Sequence, residues 1–290
     1  MPSDADQINQ MVKKMKKFAQ EKKNAKLLDM LSPVENIDGN TGMDRLSNIA
    51  TISRKLLQRV GRDSHMKEFS STENIEETVK MLQYVMKNKK WDEPYLEVNL
   101  LLEWALFRSF ASLGTEIPHE FGPILNSEGT EPIFTAGGNR PDLVAEFDSF
   151  VLVIESTVTS GARQYNTETE PVARHIAEIQ KSYNEKKVFS LFIAREIDQN
   201  VLEYFLIYHA FHKHPTSNKY LLIVPITIEN FIKVYRKLTS PGSVSEKILL
   251  QMFEQIEKSR SEEQCEKCNI SDLNIEKFSM LVETALKKII

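Results

Sequence analysis

Apolar positions in this chain change period part-way along it. Up to about residue 90 they recur at helical spacing, and beyond residue 140 they gather into short runs separated by helical stretches. Leu46, Ile49, Ile52, Ser53, Leu56 and Val60 keep a three-to-four residue step, closed by Gly61 where a helix C′ residue belongs. Asn74 with Glu77 three residues on predicts a second helix start, followed by Ile75, Val79, Leu82 and Met86 on one stripe. The pattern breaks over 87–94, so residues 1–90 are expected to form a helical N-terminal or linker region and residues 91–290 the main domain. Tyr95 to Leu113 is apolar nearly all round and ends before Gly114, which predicts a buried helix. Residues 116–138 read as a loop closing on Gly137-Gly138.

The segment 140–176 organises the rest. Pro141-Asp142 leads into an apolar run, Asp148-Ser149 makes a turn signal, and a second apolar run from Phe150 to Ile154 ends at Glu155. A two-residue hairpin turn at 148–149 pairs residue 147 with 150 and, counting down, Asp142 with Glu155. Side chains directly opposite in such a ladder have Cβ atoms about 5 Å apart. Thr157, two residues on, falls on the same face as Glu155. Two facing carboxylates repel unless a cation lies between them, and hard divalent ions take such oxygen ligands. Spacing alone fits a solvated, charged hairpin rim equally well.

Beyond Glu155 the order is helix, strand, helix, strand: a helix from Pro171 to about Asn184, a strand at 188–194, a helix at 197–212 and a strand at 220–226. That alternation implies parallel pairing, while the hairpin adds an antiparallel edge. The expected fold is therefore α/β, a mixed sheet flanked by helices, with the helical region N-terminal to it. Two amphipathic helices, 244–256 and 273–290, complete the chain.

Composition narrows the function classes. Hydrophobic residues make up 41% and charged residues 27%, as in ordinary globular proteins. Two cysteines exclude a disulfide framework and favour a reducing cytoplasm. The N-terminus is polar and Lys-rich, unlike a signal peptide, and no apolar run reaches membrane-span length, so no membrane association is expected. A net charge of -4 offers no basic field that would advertise a stand-alone nucleic-acid binder, though it does not exclude a cleavage module. The lysines between Lys13 and Lys26 fit a solvated helix or tail, with a phosphate-contacting arm as the alternative.

Other polar residues are open to two readings. Glu103, between Leu102 and Trp104, must be paired, protonated or metal-bound in such company, and Arg108 is the obvious pairing partner. Glu168 either joins Asp142 and Glu155 around an ion or favours a helix dipole. Arg163, Arg174 and His175 fit phosphate contacts or plain surface charge. Cys265-x-x-Cys268 lacks a second pair, and His209, His212 and His214 are distant in sequence and fit a helix end before Pro215, so no zinc site is expected. Walker, GxGxxG and GxSxG motifs are missing.

Pro141-Asp142 followed by Glu155-Ser156-Thr157 resembles the PD-(D/E)xK nuclease motif. Gly161-Ala162-Arg163-Gln164-Tyr165, then Glu168-x-Glu170-Pro171-Val172-x-Arg174-His175, together with Leu102-Glu103-Trp104-Ala105 upstream, is similar to the AlwI-like group of type IIS restriction endonucleases. That group includes strand-specific nicking enzymes and small catalytic subunits. The resemblance covers roughly 91–290. It implies a Mg²⁺-dependent DNA endonuclease, with Mn²⁺ as a substitute ion, in a bacterial cytoplasm. Asp142, Glu155 and Glu168 are then the metal ligands, with Glu103 as a further catalytic carboxylate. Arg163, Gln164, Tyr165, Arg174 and His175 are the expected DNA contacts.

The resemblance further implies double-stranded DNA as substrate and products ending in 5′-phosphate and 3′-hydroxyl. It also implies a second catalytic chain or recognition subunit, as homodimer or heterodimer, since each module holds one site. The motif's lysine is Thr157 here, which supplies no charge; Arg163, Gln164 or a metal-bound water is left to take that part. No DNA-recognition domain is identified at the N-terminal side, which points to a cleavage subunit, a truncated chain or recognition by a partner. The alternatives are a non-catalytic DNA- or partner-binding subunit with a nuclease-like fold, a repair- or RNA-directed nuclease of that fold, and a non-nuclease Mg²⁺ enzyme.

Overall fold

Four neighbouring strands, Leu143–Glu146, Phe150–Thr157, Lys187–Ala194 and Ile223–Thr227 in that order, carry the molecule in the computed structural model. The structure describes residues 61–289, apart from 64, 90, 93–94, 127–128, 211 and 264–274, together with four helical positions between 13 and 20. The rest of the Lys-rich stretch, the helix expected over 46–60 and Cys265-x-x-Cys268 lie outside the described residues. The chain divides into two compact units, Met1–Arg62 with Ser127–Gly129, and Asp63–Asn126 with Thr130–Ile290. The four-stranded sheet and the helices around it lie in the second. Residues 63–90, expected in the N-terminal region, belong to this larger unit.

Its elements are a 3₁₀ turn at Lys67–Ser70, α1 (Thr72–Met86), β1 (Trp91–Asp92), β2 (Tyr95–Leu96), α2 (Val98–Ser112), β3 (Ile124–Leu125), β4 (Pro132–Phe134), β5 (Leu143–Glu146), β6 (Phe150–Thr157), α3 (Gly161–Ser182), β7 (Lys187–Ala194), α4 (Gln199–Ala210), β8 (Ile223–Thr227), α5 (Ile228–Leu238), α6 (Ser245–Glu263) and α7 (Ile275–Ile289). Strands β5 and β6 form the predicted hairpin, with Leu143 opposite Ile154 and Glu146 opposite Val151. Phe147 N–H closes the turn on the Phe150 carbonyl at 2.9 Å. Parallel pairs β6–β7 and β7–β8 follow, crossed by α3 and α4.

The strands alternate, and each face has its own core. Val151 and Val153 face Val172, Ile176 and Phe205 from α3 and α4. Phe150, Leu152 and Ile154 face the larger cluster built from α1, α2, α5, α6 and α7, where Phe189 stacks on Phe253 at 4.7 Å. Burial of a Phe or Leu side chain contributes roughly 1.5–3 kcal/mol, so a one-residue slip of β6 would exchange both faces and lose most of it.

Several elements start where local signals do not place them. Ser71, not Asn74, caps α1, its side chain accepting from Asn74 N–H. Helix α2 begins at Val98 after the short strand β2, and Gly114 (φ +77°) follows its end in the left-handed conformation. Helix α3 starts at Gly161, ten residues before Pro171, which sits inside it. Proline removes one helical hydrogen bond; the turns before it are held by tertiary bonds from Gln164 and Glu168. Helix α5 follows β8 directly, capped by Thr227, and covers a span to which the reading above assigns no element. No helix among the described residues is long and apolar enough to cross a membrane.

Candidate active site

Hairpin register does the first positioning. With Leu143 opposite Ile154, the next rung out sets Asp142 against Glu155. Asp142 Oδ2 accepts the Ser156 backbone N–H at 2.8 Å and the Ser156 hydroxyl at 2.9 Å. The Asp142 backbone N–H faces the Glu155 carboxylate in return. Glu155 is buried at 5% exposure, and its Oε1 lies 2.9 Å from His175 Nδ1.

Helix α3 brings the next groups. Gln164, Glu168 and His175 lie at helical spacing on one face, and β6 presents Glu155 and Thr157 to that face. The helix runs back along the strand, so Glu155 meets His175 while Thr157 Oγ1 meets Glu168 Oε1 at 3.0 Å. The hydroxyls of Thr159 and Thr167 also reach Glu168 Oε1, at 3.3 and 3.1 Å. From α2, Glu103 Oε2 accepts the Ala136 backbone N–H at 2.6 Å, which ties the loop before β5 to the helix. Arg108 does not pair with Glu103; it bonds Asn74, Thr78 and Glu77 of α1.

Burial and neighbouring charge act on three of these carboxylates. Burial, then the Asp142 charge, pushes Glu103 up to about 8. Burial pushes Asp142 up to about 6 despite the two Ser156 bonds, and Glu168 adds to the rise. Burial holds Glu155 well above the ordinary carboxylate range, reinforced by Asp142, Glu168 and Glu103. Burial and the neighbouring Arg174 charge push His175 down to about 4, so the imidazole is neutral at pH 7. All the charges that raise these carboxylates are themselves negative.

The donor chemistry fits a hard divalent cation. Glu103, Asp142 and Glu168 are each held through one oxygen, and Glu103 Oε1, Asp142 Oδ1 and Glu168 Oε2 make no hydrogen bond among the described residues. Oxygen ligands oriented by outer hydrogen bonds are the usual second layer of a metal site. No group of three His, Cys, Asp or Glu side chains among the described residues closes on one point as a complete ligand set. Mg²⁺ asks for less, since it keeps several waters and takes only one or two protein carboxylates.

The expected DNA contacts divide. Arg163 and Tyr165 are exposed beside the site, and Arg174 is half-buried between Glu170 and Glu178 at 3.3 and 3.8 Å. His175 points inward to Glu155. Gln164 is fully buried: its amide donates to the Thr159 and Glu196 carbonyls at 3.0 and 2.9 Å and accepts from Asp198 N–H at 2.8 Å. It ties together the loops that follow β6 and β7, and is sequestered both from DNA and from the missing lysine's part. Ser156, Thr159 and Thr167, which sequence reasoning passed over, hold the carboxylates. Their one advance signal was the density of hydroxyl residues around Glu155 and Glu168.

A family model described as AlwI restriction endonuclease matches residues 34–234. No curated protein matches the chain. Among solved structures, the small subunit (R.BspD6I2) of the heterodimeric restriction endonuclease R.BspD6I shares the fold at a TM-score of 0.53 and 21% identity, covering 72% of this chain and 98% of its own.

Proposed function

Because the chain belongs to the AlwI restriction endonuclease family, we propose that it is a Mg²⁺-dependent endonuclease hydrolysing phosphodiester bonds of double-stranded DNA, as the cleavage subunit or domain of a type IIS enzyme. The observation that carries this reading is the cluster of four carboxylates, Glu103, Asp142, Glu155 and Glu168, in which burial and then neighbouring negative charge raise the proton affinity of Glu103, Asp142 and Glu155. A subunit that only binds DNA has no use for such mutual repulsion, which costs stability in the absence of a cation.

Asp142, Glu155 and Glu168 would hold the ion, one or two of them directly and the rest through its bound waters, with Glu103 as a further ligand or orienter of bound water. An ion held by these residues, Mg²⁺ or Mn²⁺ in its place, would polarise the scissile phosphate and lower the pKa of the attacking water. Ser156 fixes Asp142 through both its N–H and its hydroxyl. His175 Nδ1–H donates to ionised Glu155 and sets the rotation of that carboxylate. Arg163 and Tyr165, exposed beside the site, meet the DNA backbone, and Arg174 does so if freed from Glu170. Each chain has one such site, so a double-strand break takes a second. The solved relative is the small subunit of a heterodimer, which supports a second catalytic chain or recognition subunit, or a second copy, working beside this one in the bacterial cytoplasm.

Supercoiled plasmid incubated with Mg²⁺, with EDTA, and with the Glu155→Gln variant tests the reading. Nicked or linear DNA that depends on the metal and on Glu155 is the expected result. Equal cleavage by the variant defeats the carboxylate mechanism.

A further inference from the structure

Thr157 stands two residues after Glu155, where the broader nuclease motif has a lysine, and it is buried at 7% exposure. Its hydroxyl sits in a chain of donors. Thr157 Oγ1 donates to Glu168 Oε1 at 3.0 Å. The Thr159 backbone N–H donates to Thr157 Oγ1 at 3.1 Å, and the Thr159 hydroxyl lies 2.8 Å from it. A hydroxyl carries one proton and two lone pairs. With the Thr157 proton directed at the carboxylate, the Thr159 hydroxyl is left to donate to Thr157. The Thr157 oxygen thus receives two donors, which polarises it toward Glu168. The Thr159 and Thr167 hydroxyl oxygens lie 3.3 and 3.1 Å from the same carboxylate oxygen, but the one proton of Thr159 is directed at Thr157 and that of Thr167 is shared with the Arg163 carbonyl at 3.0 Å, so Thr157 is the principal donor to Glu168.

We propose that Thr157 is a positioning residue that stands in the motif lysine's place without taking over its charge. It locks Glu168 through Oε1, which leaves Oε2 to face the cation, directly or through a bound water. A lysine at this place has no acceptor for the Thr159 donors and would break the relay. A glutamate ordered before the ion arrives loses less freedom when it binds, so the lock acts on metal affinity. This assignment rests on the metal reading proposed above.

Calorimetric titration of Mn²⁺ into the full chain without DNA tests it apart from cleavage. Thr157→Val, which keeps shape and removes the hydroxyl, is expected to weaken Mn²⁺ binding about tenfold, the lower range for loss of an outer-layer hydrogen bond. Thr157→Ser restores the hydroxyl and is expected to bind within about threefold of wild type. In a Glu168→Gln background, Thr157→Val should add less than about twofold, because the lock then has nothing to hold. Thr159→Val, which removes one donor into Thr157, is the second variant if Thr157→Val fails to fold; it should weaken binding at least about threefold, again only while Glu168 is present.

Wild-type affinity in Thr157→Val, or the same loss with Glu168 replaced, overturns the assignment and leaves Thr157 a turn-forming residue. A wild-type chain that takes up no Mn²⁺ overturns the metal reading itself, a result distinct from either.

Discussion

His175 Nδ1 lies 2.9 Å from Glu155 Oε1, joining α3 to the strand that carries this proposed metal ligand. A residue expected on the DNA-facing surface is thus turned into the interior, at 7% exposure. From there the imidazole reaches Glu155 and is placed to orient the carboxylate proposed to bind the ion. His175→Ala should reduce cleavage about 10- to 100-fold, the range for loss of an outer partner of a metal ligand. His175→Asn, which retains a donor near the Nδ1 position, should recover part of that. Steady-state cleavage rates measured across a Mg²⁺ series check this, with the loss largest at low metal.

Asp142→Asn and Glu155→Gln should each lower cleavage by at least about 10³-fold, since each removes an ion ligand and with it the electrostatic stabilisation the ion supplies. Neither should unfold the protein. In the absence of metal both remove like-charge repulsion from a buried cluster, so melting temperatures should stay level or rise by a few degrees. Circular dichroism melts in EDTA, run beside plasmid assays in Mg²⁺, separate the two effects.

The raised carboxylates set a pH dependence with a definite sign. Folded Asp142 and Glu103 titrate at about 6 and about 8, above the ~3.9 and ~4.3 of unfolded carboxyls. Between these limits the folded chain binds more protons than the unfolded one. Their contribution to stability is therefore greatest below the unfolded values, falls as pH rises through the folded values, and levels off above them. Without metal, Asp142 and Glu103 should cost stability progressively from about pH 4 to pH 8. The stabilisation conferred by Mg²⁺ should grow over the same window, because the ion binds the ionised form. Urea melts at pH 5, 6.5 and 8, with and without Mg²⁺, read this directly. Glu103→Gln should flatten the part of the curve above pH 6.

Arg108 tests stability away from the site. Its guanidinium is buried and holds α2 to α1 through Thr78, Asn74 and Glu77. Arg108→Ala leaves those groups without their partner and should cost about 2–4 kcal/mol, seen as a lowered urea midpoint. Mn²⁺ affinity of the folded fraction should be unchanged, since Arg108 makes no bond to Glu103.

Local chemistry along the chain determined the hairpin and its register. The two-residue turn at 148–149 and the alternation on either side leave one pairing that buries both faces, and that pairing sets Asp142 against Glu155. The strand and helix alternation after Glu155 likewise determined the mixed sheet, because parallel strands need crossovers. Helix α5 was legible but unread: Thr227 caps it, and Ile228, Phe231, Ile232, Tyr235 and Leu238 form its stripe.

Other features were decided by tertiary structure alone. Helix α3 runs through Pro171 because Gln164 and Glu168 are held by groups outside the helix, and local propensity carries no record of such bonds. Glu103 joins the site from α2, 39 positions before Asp142, through packing that periodicity cannot orient. The turn of His175 to Glu155 and of three threonine hydroxyls to Glu168 depends on how a helix lies along a strand. Sequence names residues that share a face; only packing of one face on another decides which of them touch.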